Sequence, residues 1–136
     1  MLHAAQFVLH RTTKVIQWRT KYLGFPQRLQ IFMDDWLGMW PEYNDYIDGA
    51  TKSTLANVQS LSDKTMGGSD SVEIAGPARI APLIVFLANS PESEVVKAAV
   101  EQTMLTHRSK EAEESANFLA KAGYRLIHGA NLLNTL

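Results

Sequence analysis

The chain has 136 residues, of which 46% are hydrophobic and 20% charged, with a formal net charge of -1 and no cysteine. That size and balance fit one folded unit spanning residues 1–136, and exclude both a disordered polyelectrolyte and two independent domains. Near-neutral charge gives no general attraction to nucleic acid or an anionic membrane surface, and the lack of cysteine excludes disulfides, thiolate zinc sites and cysteine nucleophiles.

Arg11, Lys14, Arg19, Lys21 and Arg28 all precede the first acid, Asp34. An organellar transit peptide would share that profile, but Trp18, Tyr22 and Phe25 are too aromatic for a cleaved leader. A helix over residues 4–22 with a basic solvent face, in a cytoplasmic protein, is the better reading. From Gln27, the residues Leu29, Phe32, Met33, Trp36, Leu37 and Trp40 recur at three- and four-residue steps, which predicts a second helix with one apolar side ending at Pro41. Residues 41–49 are rich in turn formers, and Asp48 is placed to cap a third helix that buries Ala50, Leu55 and Val58 and runs to about residue 61. Residues 62–71, with Gly67 and Gly68, read as a flexible loop without core residues.

Gly76-Pro77 opens a run over residues 78–88 in which Ile80, Leu83, Ile84 and Leu87 repeat at helical steps. Its apolar character on nearly all sides predicts a central, buried helix. Ser90-Pro91 then reads as N-cap and first helical position of a helix to about residue 107, with Glu92 and Glu94 at the positive end of its dipole. Ser109 caps a last helix whose Ala112, Ala116, Leu119 and Leu126 form a stripe, and Gly129 ends it. No segment alternates with period two, and no apolar run is long enough to cross a bilayer, since the most apolar stretch contains Pro82. The fold expected is all-α, a single irregular bundle of roughly six helices.

Candidate chemistry is sparse. Asp34, Asp35, Asp45 and Asp48 lie close in sequence, as ligands of a hard cation would, but their spacing matches no dedicated metal loop; a cap and solvated turn residues explain them better. His3, His10, His107 and His128 contain no pair suited to zinc. His107, at the end of a predicted helix, either satisfies the last carbonyls or faces a cleft, and position alone favours the first. No serine stands in a nucleophile elbow, and the basic residues of the second half are interspersed with acids rather than gathered on a nucleic-acid-binding face. Residues 66–70, Met66-Gly67-Gly68-Ser69-Asp70, could cradle an anion through backbone N–H groups, although the lysine of a phosphate-binding loop is lacking.

The segment Gly68-Ser69-Asp70-Ser71-Val72-Glu73-Ile74-Ala75-Gly76-Pro77-Ala78-Arg79-Ile80-Ala81-Pro82-Leu83 resembles the central segment of the ADP-ribosylglycohydrolase family, particularly its jellyfish J-crystallin-like branch. Leu105-Thr106-His107 and Leu126-Ile127-His128-Gly129 follow at the family's distances, and Tyr46-Ile47-Asp48-Gly49-Ala50-Thr51 is similar but less specific. The likeness is good over residues 40–132 and loose before them.

The resemblance implies an all-helical fold and a hydrolase of ADP-ribosyl glycosidic bonds that uses magnesium to position substrate and water. It assigns Gly68, Ser69, Asp70 and His107 to the binding of an ADP-ribosyl group, and makes Arg79 an internal anchor tying helix ends together. The chain lacks the family's early Gly-Asp and Thr-Asp-Asp type segments and its late Asp-x-Asp-Thr type segment. Magnesium is thus implied without ligands to hold it, and no catalytic residue is assigned. The expectation is a central fragment of a longer enzyme, inactive alone, or a degenerate member kept for another role. The alternative is a non-enzymatic, crystallin-like helical module that self-associates, with Trp36, Trp40 and Tyr43 exposed.

Overall fold

The computed structural model describes residues 28–131 and 133. The expected helix over residues 4–22 lies outside them. The six α-helices among the described residues are α1 (Arg28–Leu37), α2 (Gly49–Val58), α3 (Ala75–Ala78), α4 (Ala81–Phe86), α5 (Glu92–Met104) and α6 (Lys110–Ile127), with a 3-10 turn at Lys64–Met66. They contain no strand, only an isolated parallel bridge between Ser69 and His107. The all-α expectation holds.

Phe32, Met33, Trp36 and Trp40 are buried as the spacing on α1 predicts, Trp40 from the turn that follows the helix. Trp36 meets Trp40 edge to face at 5.2 Å, and Trp40 meets Tyr43 at 5.5 Å. The exposure of these three that the crystallin-like alternative requires is therefore corrected: the two indoles sit in the core and Tyr43 packs half-buried against it. Aromatic pairs of this geometry add attraction beyond their buried area. Loop-based Trp40 and Tyr43 thus extend the apolar side of α1 past its end.

Asp48 caps α2, its Oδ1 accepting the Thr51 N–H at 2.8 Å. The helix stops at Val58 rather than at residue 61, because Gln59, Ser60 and Leu61 donate to carbonyls three residues back. Such bonds tighten a last turn and satisfy carbonyls that would otherwise lack partners. The next loop is less loose than its composition suggests. Gly67 is buried, and a Cβ there would collide with Val58 Cγ1.

The expected continuous helix over residues 78–88 is two short ones. Pro82 has no N–H to donate to the Ala78 carbonyl and its ring crowds that oxygen, so the chain turns at Arg79-Ile80 between α3 and α4. Ile80, Leu83, Ile84 and Leu87 are buried as expected, but Val85 is 64% exposed and Phe86 also reaches solvent. The segment is one-sided, not buried all round.

Pro91, not Ser90, occupies the N-cap of α5, and α5 ends at Met104, three residues before His107. Ser109 Oγ accepts the Ala112 N–H at 3.1 Å and caps α6 as anticipated. Gly129 ends α6 at φ 84, with its N–H on Leu126 O and that of Ala130 on Arg125 O. This paired closure needs a left-handed residue, which glycine supplies without strain. Helices α5 and α6 form the most extensive helix pair, and they run antiparallel, since Glu92 at the start of α5 pairs with Arg125 near the end of α6. Ala99, Ala112, Ala116 and Ala120 are fully buried, so small side chains let the two backbones approach closely.

Candidate functional site

The site residues expected from sequence gather where α5 ends. The chain leaving α5 tightens, with Leu105 and Thr106 donating to carbonyls three residues back, and His107 N–H still reaching Thr103 O at 2.9 Å. Ser69 lies alongside. Its N–H donates to Thr106 O at 3.0 Å and its carbonyl accepts the Arg108 N–H at 2.6 Å, the alternation that defines a parallel bridge centred on His107. Ser69 Oγ donates to the same Thr106 carbonyl at 3.0 Å, and Ser109 Oγ donates to Ser71 O at 2.9 Å. Residues 69–71 are thus fastened to residues 106–109 by four hydrogen bonds.

Close backbone approach explains two glycines. A Cβ at Gly68 would lie 2.5 Å from Met104 O and 2.9 Å from Arg108 Cγ. One at Gly76 would lie 2.6 Å from both Cγ and Nδ1 of His107. The His107 ring therefore rests directly against the backbone of α3, fully buried, with Thr106 Oγ1 2.9 Å from its Nδ1. Of the four residues expected to bind substrate, Ser69 and His107 are buried, Gly68 is half-buried and Asp70 is exposed. The bridge brings Ser69 and His107 together; Gly68 and Asp70 flank it. The N–H groups of Gly67, Ser69 and Ser71 bond within the protein, to Lys64 O, Thr106 O and Ser69 Oγ.

Three further residues complete this junction. Thr54 of α2 lies against Ser69 and Thr106, Arg108 Nη1 donates to Thr65 O at 3.1 Å, and Gly76 supports His107. Thr54 follows Thr51 by three residues on the buried side of α2, a polar pair on an apolar face that is visible in the sequence as an anomaly. Its partners are not, because they come from residues 69 and 106.

Arg79 is a second organising group. Its Nη2 donates to Asp48 Oδ2 at 3.1 Å, tying the α3–α4 junction to the start of α2. Burial lowers the guanidinium pKa below its ordinary value, and the charge and hydrogen bond of Asp48 oppose that shift. Asp48 Oδ2 also accepts the Thr51 hydroxyl at 3.0 Å. One carboxylate therefore caps a helix and neutralises a largely buried cation.

A scan of family models matches residues 3–136 to the ADP-ribosylglycohydrolase family, which includes the first forty residues as well as the central segment. The chain belongs to the ADP-ribosylglycohydrolase family. Its members are helical and act on ADP-ribosylated substrates, broadly with the help of metal ions. No curated protein and no solved structure matches it.

The described residues of this family member do not fit a magnesium centre. No three of their histidine, aspartate and glutamate side chains come together to hold an ion. Asp34 accepts from Gln30 and pairs with Lys64 at 3.3 Å, Asp45 accepts the Tyr46 N–H, and Asp48 serves Thr51 and Arg79. A hard divalent cation needs several converging oxygen ligands, and these carboxylates point to different partners.

Proposed function

We propose that this ADP-ribosylglycohydrolase-family chain binds an ADP-ribosyl group at the turn Gly68-Ser69-Asp70, with Ser69 and His107 as its buried support, and does not hydrolyse it alone. The observation that supports this is the Ser69–His107 bridge, which unites the two segments carrying the family resemblance into one rigid junction. Asp70 is the exposed member, able to accept from ribose hydroxyls, and Gly68 keeps the neighbouring backbone close to the end of α5. Ser69 and His107 lie beneath and set the position of both. Magnesium, which the resemblance implies, finds no ligand set among the described residues, so no bond-breaking step is assigned to them.

Calorimetric titration of ADP-ribose into the protein, with and without magnesium, tests this reading. Weak binding of equal strength in both conditions is expected, lost in His107→Ala and reduced in Asp70→Ala, the exposed substitution that leaves the core intact. Absence of binding to the unaltered chain overturns it. We keep one second reading, a non-enzymatic, crystallin-like structural module. Phe118, Leu126 and Ile127 are exposed along α6, Leu126 contrary to its place in the expected stripe, and offer apolar surface for self-association.

A further inference from the structure

Three donors converge on one oxygen at the end of α5. Thr106 O accepts from Ser69 N, Ser69 Oγ and Thr54 Oγ1, each at 3.0 Å. The Thr54 hydroxyl also accepts the Ser69 N–H at 3.2 Å and lies 2.9 Å from Ala50 O on its own helix. A hydroxyl has one proton to give, so it donates either back along α2 or across to Thr106 O. When it donates across, it closes a ring of hydrogen bonds with Ser69 and Thr106.

Thr54 is fully buried, so bulk solvent does not reach its hydroxyl. Three residues further along α2, Asn57 Nδ2 donates to Gly67 O at 3.1 Å. Residues three apart share a helix face, so one face of α2 holds the turn at two points, Gly67 and Ser69. Of the Thr54 side chain only the hydroxyl can serve both Ser69 and Thr106.

We propose that Thr54 is a positioning residue whose hydroxyl fixes the Gly68-Ser69-Asp70 turn against the end of α5, so that Asp70 is presented to the ADP-ribosyl ligand. The presentation of Asp70 rests on the proposed binding of an ADP-ribosyl group; the fixing of the turn does not. The turn itself can be followed without any ligand, through amide hydrogen exchange resolved by NMR.

Thr54→Val keeps the shape and removes the hydroxyl; Thr54→Ser keeps the hydroxyl and removes a methyl. Loss of a buried hydrogen bond of ordinary strength predicts roughly 5- to 30-fold faster exchange at Ser69 in Thr54→Val. Thr54→Ser should restore the slow rate. Thr103→Val removes another buried hydroxyl, one with no hydrogen-bond partner among the described residues, and should leave Ser69 unchanged. ADP-ribose affinity should fall in Thr54→Val and return in Thr54→Ser.

Unchanged exchange in Thr54→Val, or an equal rise in Thr54→Ser, overturns the proposal, as does faster exchange with unchanged affinity. If the unaltered chain does not bind ADP-ribose, the functional reading fails separately, and exchange at Ser69 alone decides whether Thr54 holds the turn.

Discussion

Gly76 leaves so little room above the His107 ring that one added methyl group must move one of them. Gly76→Ala should therefore destabilise the protein by about 1–3 kcal/mol, the usual cost of overpacking a buried site. Denaturant unfolding measures this, and the imidazole resonances of His107 should shift with it. Gly49 provides the contrast, since a Cβ there meets nothing within 4 Å. Gly49→Ala at the start of α2 should be neutral or stabilising by up to roughly 1 kcal/mol, because alanine loses less backbone freedom on folding. A loss of stability at Gly49 equal to that at Gly76 would show that crowding of His107 is not the cause. Asp48 and Arg79 make a related point about charge. The resemblance already marked Arg79 as an anchor, but that its partner is the carboxylate capping α2 follows only from two segments thirty-one residues apart meeting in space.

Helix ends were the most legible elements, because capping is local chemistry. Asp48, Ser109 and Gly129 each act as the sequence predicts, through a side-chain oxygen on a free N–H or a left-handed backbone. Ser90 yields the cap to its neighbour for an equally local reason: proline at residue 91 adopts ψ 144, an extended value that makes it the cap itself. The break between α3 and α4 was also present in the sequence, at Pro82. The helical steps of Ile80, Leu83, Ile84 and Leu87 run on across that proline, which occupies the first turn of α4. Where elements join, the fork between Arg125 and Glu92 holds the end of α6 to the start of α5, at 3.0 and 3.2 Å. The hydrogen bond and charge of Arg125 lower the Glu92 pKa below its ordinary 4.5, and Glu92 raises that of Arg125 in return. A carboxylate with a depressed folded pKa stabilises the fold above its unfolded pKa and loses that contribution as pH falls through the folded value. The melting temperature of Glu92→Gln should therefore lie slightly below that of the unaltered protein at pH 7. The gap should close below about pH 4, and salt should narrow it at pH 7 because the pair is solvent-exposed. A gap independent of pH would assign the difference to packing.

At the scale of the whole molecule, the apolar residues assemble one core cluster from α1, α2, α4, α5 and α6, and no helix among the described residues is long and apolar enough to cross a membrane. The surface left over decides the structural alternative. If the exposed apolar residues of α6 support a crystallin-like association, light scattering should give a mass above that of one 15.2 kDa chain, and Phe118→Ser should return it to monomer. A monodisperse monomer at high concentration would count against that reading. The helical class, the buried face of α1, the helix ends at Asp48, Ser109 and Gly129 and the family segments were all determined by the sequence itself, since periodicity, capping and motif spacing act within a few residues or at fixed separations. Tertiary structure decided the rest. Ser69 could be joined to Thr54 and His107, and Arg79 to Asp48, only once distant segments met, because a hydrogen bond depends on where both partners lie and local pattern specifies just one of them.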